Sequence, residues 1–200
     1  MIQIIRAEKT SDVAGIIRLI YETDDYIYPS MCDTNYELFE TIMLKLLSTD
    51  CIFSYKNIIT AEEKGKTIGL LLYFGEKAKL PDLAANSIIP GKEHLKDFNF
   101  SIPEFFAPLL SEIKQNQIHI NNLCVDSENR KRGIATMLID HAKKTFPDKK
   151  IILDCLEQNS AAVNFYKKSG FSIIEKFQVP AEDNKDEKIN CIRFGYCRGK

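Results

Sequence analysis

The chain has little histidine, little net charge and no long apolar run, and each shortage excludes something. Three histidines stand among 200 residues. None of the six cysteines, Cys32, Cys51, Cys124, Cys155, Cys191 and Cys197, forms a C-x-x-C pair. Zinc-type spacing is missing, so no metal is expected. Formal net charge is −1. There is then no global field for nucleic acid or an anionic membrane, and any anion must be met locally. The stretch MIQIIRAEKTSDVAG carries charge early, and nothing in the chain reads as a signal peptide or membrane span. A cytoplasmic protein with free thiols is the expectation. Cys124 and Cys155 lie inside apolar runs, as small core residues do. Glycine-rich phosphate loops are missing too. A dinucleotide turn wants three glycines where this chain offers Gly133 alone. The GKT at 65–67 has Thr60 where a P-loop needs its first glycine. No repeat or low-complexity tract occurs.

What is present is an ordinary globular balance, 44% hydrophobic and 28% charged. The length suits a single domain over 1–200 with an insertion at about 76–117. IQIIRA reads as a first strand. Val13, Ile16, Ile17 and Ile20 follow the N-cap types Thr10, Ser11 and Asp12 at helical spacing. A second helix runs through Leu38, Ile42, Leu46 and Leu47. SYKNIITAEEKGKTIGLLLYF reads as a hairpin turning around Glu63 to Lys66. The insertion lacks sustained periodicity, though EFFAPLLSEI suits a short helix, and loops of that size commonly cap a site. IHINNLCV is a strand. Ile134, Met137, Leu138, His141, Ala142 and Thr145 then mark one buried helix face, which Pro147 ends. KIILDCL is a strand, and NSAAVNFYKKSG a short helix capped by Asn159 or Ser160 and stopped at Gly170. FSIIEKFQV and KINCIRFGYC close the chain as two strands around EDNKDE. The fold class is mixed α/β, and the strand–helix–strand run of 118–156 predicts a parallel pair.

Two segments carry chemistry. NRKRGIAT follows a strand and opens a helix, where backbone amides bind phosphate. Its consecutive cations Arg130, Lys131 and Arg132 stand at the positive end of a helix dipole, which is unfavourable unless an anion joins them or they simply point into water. Lys131, Arg132, Gly133, Ile134, Ala135 and Thr136 would supply successive amides. In DCLEQNSAAVNFYKKSGF, Asp154 lies in a strand, Asn159 at a strand-to-helix junction, and Tyr166 about two helical turns further on. Taken singly, Asn159 suits a plain cap, Tyr166 a core aromatic, and Asp154 a solvent-facing strand residue.

Together the two segments resemble the GNAT superfamily of acyl-CoA-dependent N-acetyltransferases. Arg130 to Ala135 match the family's [QR]-x-x-G-x-[GA] pattern, with alanine in place of the more frequent second glycine. Leu123, Cys124 and Val125 match the strand end that precedes it. Asp154, Asn159, Ala162, Phe165, Tyr166, Gly170 and Phe171 match the downstream segment in order and spacing. The resemblance is strong over about 118–175 and absent over 76–117. It implies a GNAT-like mixed sheet whose parallel strands splay after Val125 and Leu156 to admit the pantetheine arm of acetyl-CoA. It implies that Leu123, Cys124 and Val125 pair with that arm, that the amides of 131–136 hold the pyrophosphate, and that Asn159 holds the arm. Tyr166 would protonate the leaving thiolate. Asp154 would accept the amine proton through water, with His119 and Glu157 as rivals; no carboxylate stands in IHINN, where some relatives keep one.

The implied reaction is acetyl transfer to a primary amine, a small molecule in preference to a protein, because a long insertion suits a cap. Peptide or protein amines and a non-catalytic acyl-CoA sensor are the alternatives. Asp24, Asp25 and Asp33 would suit a cationic amine, and Tyr26, Tyr28, Phe98, Phe100, Phe105 and Phe106 a pocket or lid, unless they only pack the insertion. The chain is expected as a monomer or homodimer, without nucleic acid or membrane partners.

Overall fold

The computed structural model describes residues 1–24, 27–32, 34–79, 114–180 and 188–198. Most of the expected insertion, including EFFAPLLSEI, Phe98, Phe100, Phe105 and Phe106, lies outside them, as do Asp25, Tyr26, Asp33 and the EDNKDE turn. The described elements run β1 (Gln3–Arg6), α1 (Val13–Tyr21), α2 (Ile27–Ser30), α3 (Tyr36–Leu47), β2 (Ile58–Glu63), β3 (Lys66–Gly75), β4 (Gln117–Val125), α4 (Ile134–Thr145), β5 (Lys150–Leu156), α5 (Ser160–Lys168), β6 (Ser172–Pro180) and β7 (Lys188–Tyr196).

The strands form one mixed sheet in the order β1-β2-β3-β4-β5-β7-β6. Neighbours are antiparallel except β4 and β5, which are parallel as the strand–helix–strand run predicts. The sheet separates two apolar cores. Leu70, Leu72 and Phe74 of β3 face one, with α1 and α3. Leu71 and Tyr73 face the other, with α4, Tyr166 of α5 and Phe171 just beyond that helix. A strand covered on both faces reads as the continuous run IGLLLYF rather than as an alternation.

Local chemistry places the helices. Asp12 caps α1, accepting from the Gly15 amide at 3.1 Å. Its other oxygen accepts from the Thr67 amide at 2.9 Å, so one carboxylate ties the helix start to the β2–β3 hairpin. Asn35 caps α3 through the Leu38 amide. The buried face of α4 is Ile134, Leu138, Ile139 and Ala142, rotated from the expected stripe. Met137 and Thr145 are exposed, and Ile139 turns in. The start of α4 sits very low on β3: a Cβ at Gly69 would come within 2.9 Å of Ile134 Cγ2. Only glycine at that strand position lets the helix terminus approach so closely.

Candidate functional site

The parallel strands part within their length. β4 pairs with β5 only from Gln117↔Lys150 to Ile120↔Leu153. Beyond that rung, residues 122–125 are paired to β3 alone and 154–156 to β7 alone among the described residues. The expected gap is there, but it opens at Ile120 and Leu153 rather than after Val125 and Leu156. The cause is local. Leu72 pairs with Asn122 and Tyr73 with Ile120, so Asn121 is an extra residue in β4. Such a bulge bends its strand and sharpens the twist, which turns the rest of β4 away from β5.

The bulge is pinned by α2. Tyr28 is buried and donates its hydroxyl hydrogen to Asn122 Oδ1 at 3.0 Å. It accepts from Asn121 Nδ2 at 3.1 Å. Burial raises the Tyr28 phenol well above its ordinary range, so it stays protonated. Tyr28 was an expected pocket aromatic; it is a strut between α2 and β4. Asn121 and Asn122 were not anticipated as site residues, though two adjacent amides inside an apolar strand are a sequence signal for irregular pairing.

The gap leaves an unpaired backbone edge on each strand, which an extended ligand can join as a further strand. Leu123, Cys124 and Val125 lie on its β4 side. At its mouth lies the loop expected to hold an anion. Lys131 and Gly133 both have left-handed backbone, φ 62° and 79°. The first amide bonded back into α4 is that of Met137, to the Gly133 carbonyl. The amides of 131–136 make no hydrogen bond among the described residues. A run of free amides in alternating left-handed turns is a concave anion site. A Cβ at Gly133 would meet nothing, so the glycine is there for its positive φ, with open space above it for a ligand.

The three cations divide. Among the described residues, Arg130 donates only to the Val125 carbonyl, at 3.4 Å. Arg132 is already engaged, donating twice to the Glu63 carboxylate at 2.9 and 3.0 Å and also to Asn129. The β2–β3 hairpin thus braces the loop from behind, and Arg132 neither waits for an anion nor simply points into water. Asp126, at the end of β4, receives Arg18 of α1 at 2.9 Å and fixes the other side of the loop.

Across the gap, Asn159 caps α5 by accepting from the Ala162 amide at 3.0 Å, leaving its exposed NH2 group toward solvent. Tyr166 is buried among Phe165, Phe171 and Phe194. Its hydroxyl makes no hydrogen bond among the described residues. Burial, and then the neighbouring Cys155 thiol, raise its pKa well above the ordinary tyrosine range. Cys155 lies on β5 past the parting point, with its own thiol pushed up to about 11 by burial, Asp154 and Cys191. Both groups are therefore protonated at neutral pH, with the phenol close to Cys155 beside the gap.

Asp154 is the site residue whose surroundings differ most from expectation. Arg193 of β7 donates from Nε to Oδ1 at 2.9 Å and from a terminal nitrogen to Oδ2 at 3.1 Å. Both side chains are largely buried. His119 Nε2 lies 3.5 Å from Oδ2, yet neither ring nitrogen finds a hydrogen-bond partner. Burial alone would raise this carboxyl; His119 and Arg193 outweigh it and hold Asp154 below its usual range. Of the two we give the weight to Arg193, whose fork is aligned where the imidazole is not. A carboxylate so held is a poor proton acceptor, which weighs against the water-relayed acceptor role expected for it. Arg193 was not anticipated. A lone cation between the apolar residues Ile192 and Phe194 of an interior strand is the signal that implies a buried partner. Glu157 pairs instead with Lys176.

A mixed sheet with one parted parallel pair, a run of free amides at the mouth and a buried phenol on the far lip defines the class of an acyltransferase fold. The chain belongs to the Acetyltransferase (GNAT) family, which it matches over residues 24–171. The peptidyl-lysine N-acetyltransferase YjaB of Salmonella typhimurium is 38% identical over 61 residues, 30% of this chain and 41% of that protein. The match thus spans about two fifths of that relative's length. An N-acetyltransferase structure from Staphylococcus aureus Mu50 aligns over 97% of this chain and 100% of its own, at 18% identity and a TM-score of 0.63. The structure of the NatC complex bound to Gag peptide and CoA aligns over 98% of each chain, at 15% identity and a TM-score of 0.58. These two likenesses show the shared fold. No helix among the described residues is long and apolar enough to cross a membrane.

Proposed function

We propose that the protein transfers an acetyl group from acetyl-CoA to a primary amine, by direct attack of the amine on the thioester. The observation that carries this reading is the parted β4–β5 pair with free amides at its mouth and a protonated tyrosine on its lip. The unpaired edge at Leu123, Cys124 and Val125 takes the pantetheine arm. The amides of Lys131, Arg132, Gly133, Ile134, Ala135 and Thr136 take the pyrophosphate, with Arg130 and Lys131 supplying charge and Arg132 held as a brace. The exposed amide group of Asn159 steadies the arm. A β4 amide near Leu123 polarises the thioester carbonyl as negative charge develops on its oxygen. Tyr166 hands its proton to the departing sulfur. A non-catalytic acyl-CoA sensor would have no use for such a phenol beside the arm.

The acceptor we favour is a small-molecule amine, on the length of the segment between β3 and β4. The lysine side chain of a peptide is the second reading, and the similarity to YjaB supports it. The test is release of free thiol from acetyl-CoA, followed with a panel of small amines and lysine peptides. Turnover with small amines supports the first acceptor and turnover with peptides the second. CoA binding without thiol release from any amine contradicts transfer.

A further inference from the structure

Among the described residues, three buried side-chain polar atoms have no hydrogen-bond partner: Nδ1 and Nε2 of His119 and Nδ2 of Asn122. All belong to β4, and they flank the bulged Asn121 at which β4 leaves β5. Leaving such groups unsatisfied is costly, and in a folded protein their clustering calls for a reason. His119 occupies the next-to-last paired rung, opposite Ile152. Phe74 of β3 lies against its ring, the centroids 5.3 Å apart. Asp154 of β5 faces it at 3.5 Å, with Arg193 of β7 behind. Among the described residues, Asp154 is the charged group within 4.0 Å of the imidazole. Arg193 binds both carboxylate oxygens, so Asp154 is fixed in place as a negative charge beside the imidazole.

We propose that His119 is the proton acceptor for the attacking amine, and that the carboxylate of Asp154, clamped by Arg193, balances the charge the imidazole gains. This rests on the acetyl-transfer reading above. An imidazole changes charge between pH 5 and 8, the range in which an acceptor for an ammonium proton must work. An Asp–imidazole pair suits that task because the carboxylate stabilises the imidazolium that forms. The amine nitrogen forms its bond to the thioester carbon, and the carbon–sulfur bond breaks with its electron pair leaving on sulfur. Tyr166 supplies the proton that sulfur takes. The proton shed by the nitrogen passes through one water to a ring nitrogen of His119. Release of that proton to solvent, and return of one to the tyrosinate, restores both groups. The orphan donor of Asn122 lies on the same strand, available to hold the bridging water.

The test compares His119→Gln, which retains hydrogen bonding without titration, with Asp154→Asn. The readouts are kcat against pH, CoA affinity by calorimetry and the thermal midpoint. His119→Gln is expected to lower kcat by about 10²–10⁴-fold and to abolish the acid limb of the profile, with CoA affinity kept. Asp154→Asn is expected to shift that limb to lower pH without abolishing it. A His119→Gln enzyme with wild-type kcat and limb overturns the proposal. For the intact protein, the imidazole of His119 is titrated by NMR in the CoA complex. A midpoint coincident with the kinetic limb supports the assignment, and a midpoint unrelated to it overturns it even where the variants fail to fold. A wild type that releases no thiol from any amine removes the acetyl-transfer reading and this inference with it. An active wild type with an indifferent His119→Gln removes the inference alone.

Discussion

Arg193 and Asp154 face each other across β5 and β7 as a closed fork, two nitrogens on two oxygens at 2.9 and 3.1 Å. The pair sits beside the point where β4 leaves β5, in the half of the sheet that must stay in register while the other half opens. Its geometry is that of a buried bidentate ion pair, in which Asp154 depends on Arg193 to offset its burial, while Arg193 also reaches Glu175 at 3.2 Å.

Removing one partner should therefore cost more than removing both. Arg193→Met leaves Asp154 buried without its main partner and is expected to destabilise by about 3–5 kcal/mol. The double variant with Asp154→Asn should recover part of that loss. The sign with pH follows from the depressed carboxyl. The pair's stability is present above the ordinary carboxylate range, near ~4, and is lost as pH falls through the lower folded value. Urea unfolding from pH 7 down to pH 3 should show wild type losing its advantage over Asp154→Asn only in the acid range. A constant difference across that range contradicts the assigned pair.

Tyr166 supports a kinetic prediction. Tyr166→Phe keeps the ring packing against Phe171 and Phe194 and removes only the hydroxyl. Turnover should fall by about 10²–10⁴-fold, with CoA affinity little changed. The raised phenol places loss of the acid above the ordinary tyrosine range, so wild-type kcat should not decline through pH 9 on its account. Steady-state thiol release across pH checks both statements, and a fully active phenylalanine variant removes Tyr166 from the mechanism.

The loop cations should separate by variant. Arg130→Ala and Lys131→Ala each remove charge directed at the anion and should weaken CoA binding while lowering its salt dependence. Arg132→Ala and Glu63→Gln should act alike, since each breaks the same brace. Gly133→Ala puts a Cβ on a backbone at φ 79° and should cost about 1–2 kcal/mol of local stability. Calorimetric titration with CoA at two salt concentrations distinguishes the groups. Equal effects from all three cations contradict the brace.

Much of this was legible in the sequence because it is local. Asn159 before SAAVNFY, Asp12 before the first helix, and the strand–turn–helix around NRKRGIAT depend on neighbouring residues, and their periodicities survive folding. What was hidden is relational. The bulge at Asn121 moves the gap up the strands by several residues, and a register shift leaves no trace in hydrophobic period. Arg193 is 39 residues from Asp154, so only strand pairing brings them together. The α4 stripe was displaced because its start is pulled down onto Gly69, which turns Ile139 inward and Met137 out.

The central claim is that the parted strands and the α4 start hold acetyl-CoA. Amide hydrogen exchange with and without CoA tests it most directly. The amides of 131–136 should gain protection, together with those of Leu123, Cys124 and Val125 at the unpaired edge of β4, while β1 and β2 change little. Binding that protects other amides, and leaves both of these segments exchanging as before, would contradict the site.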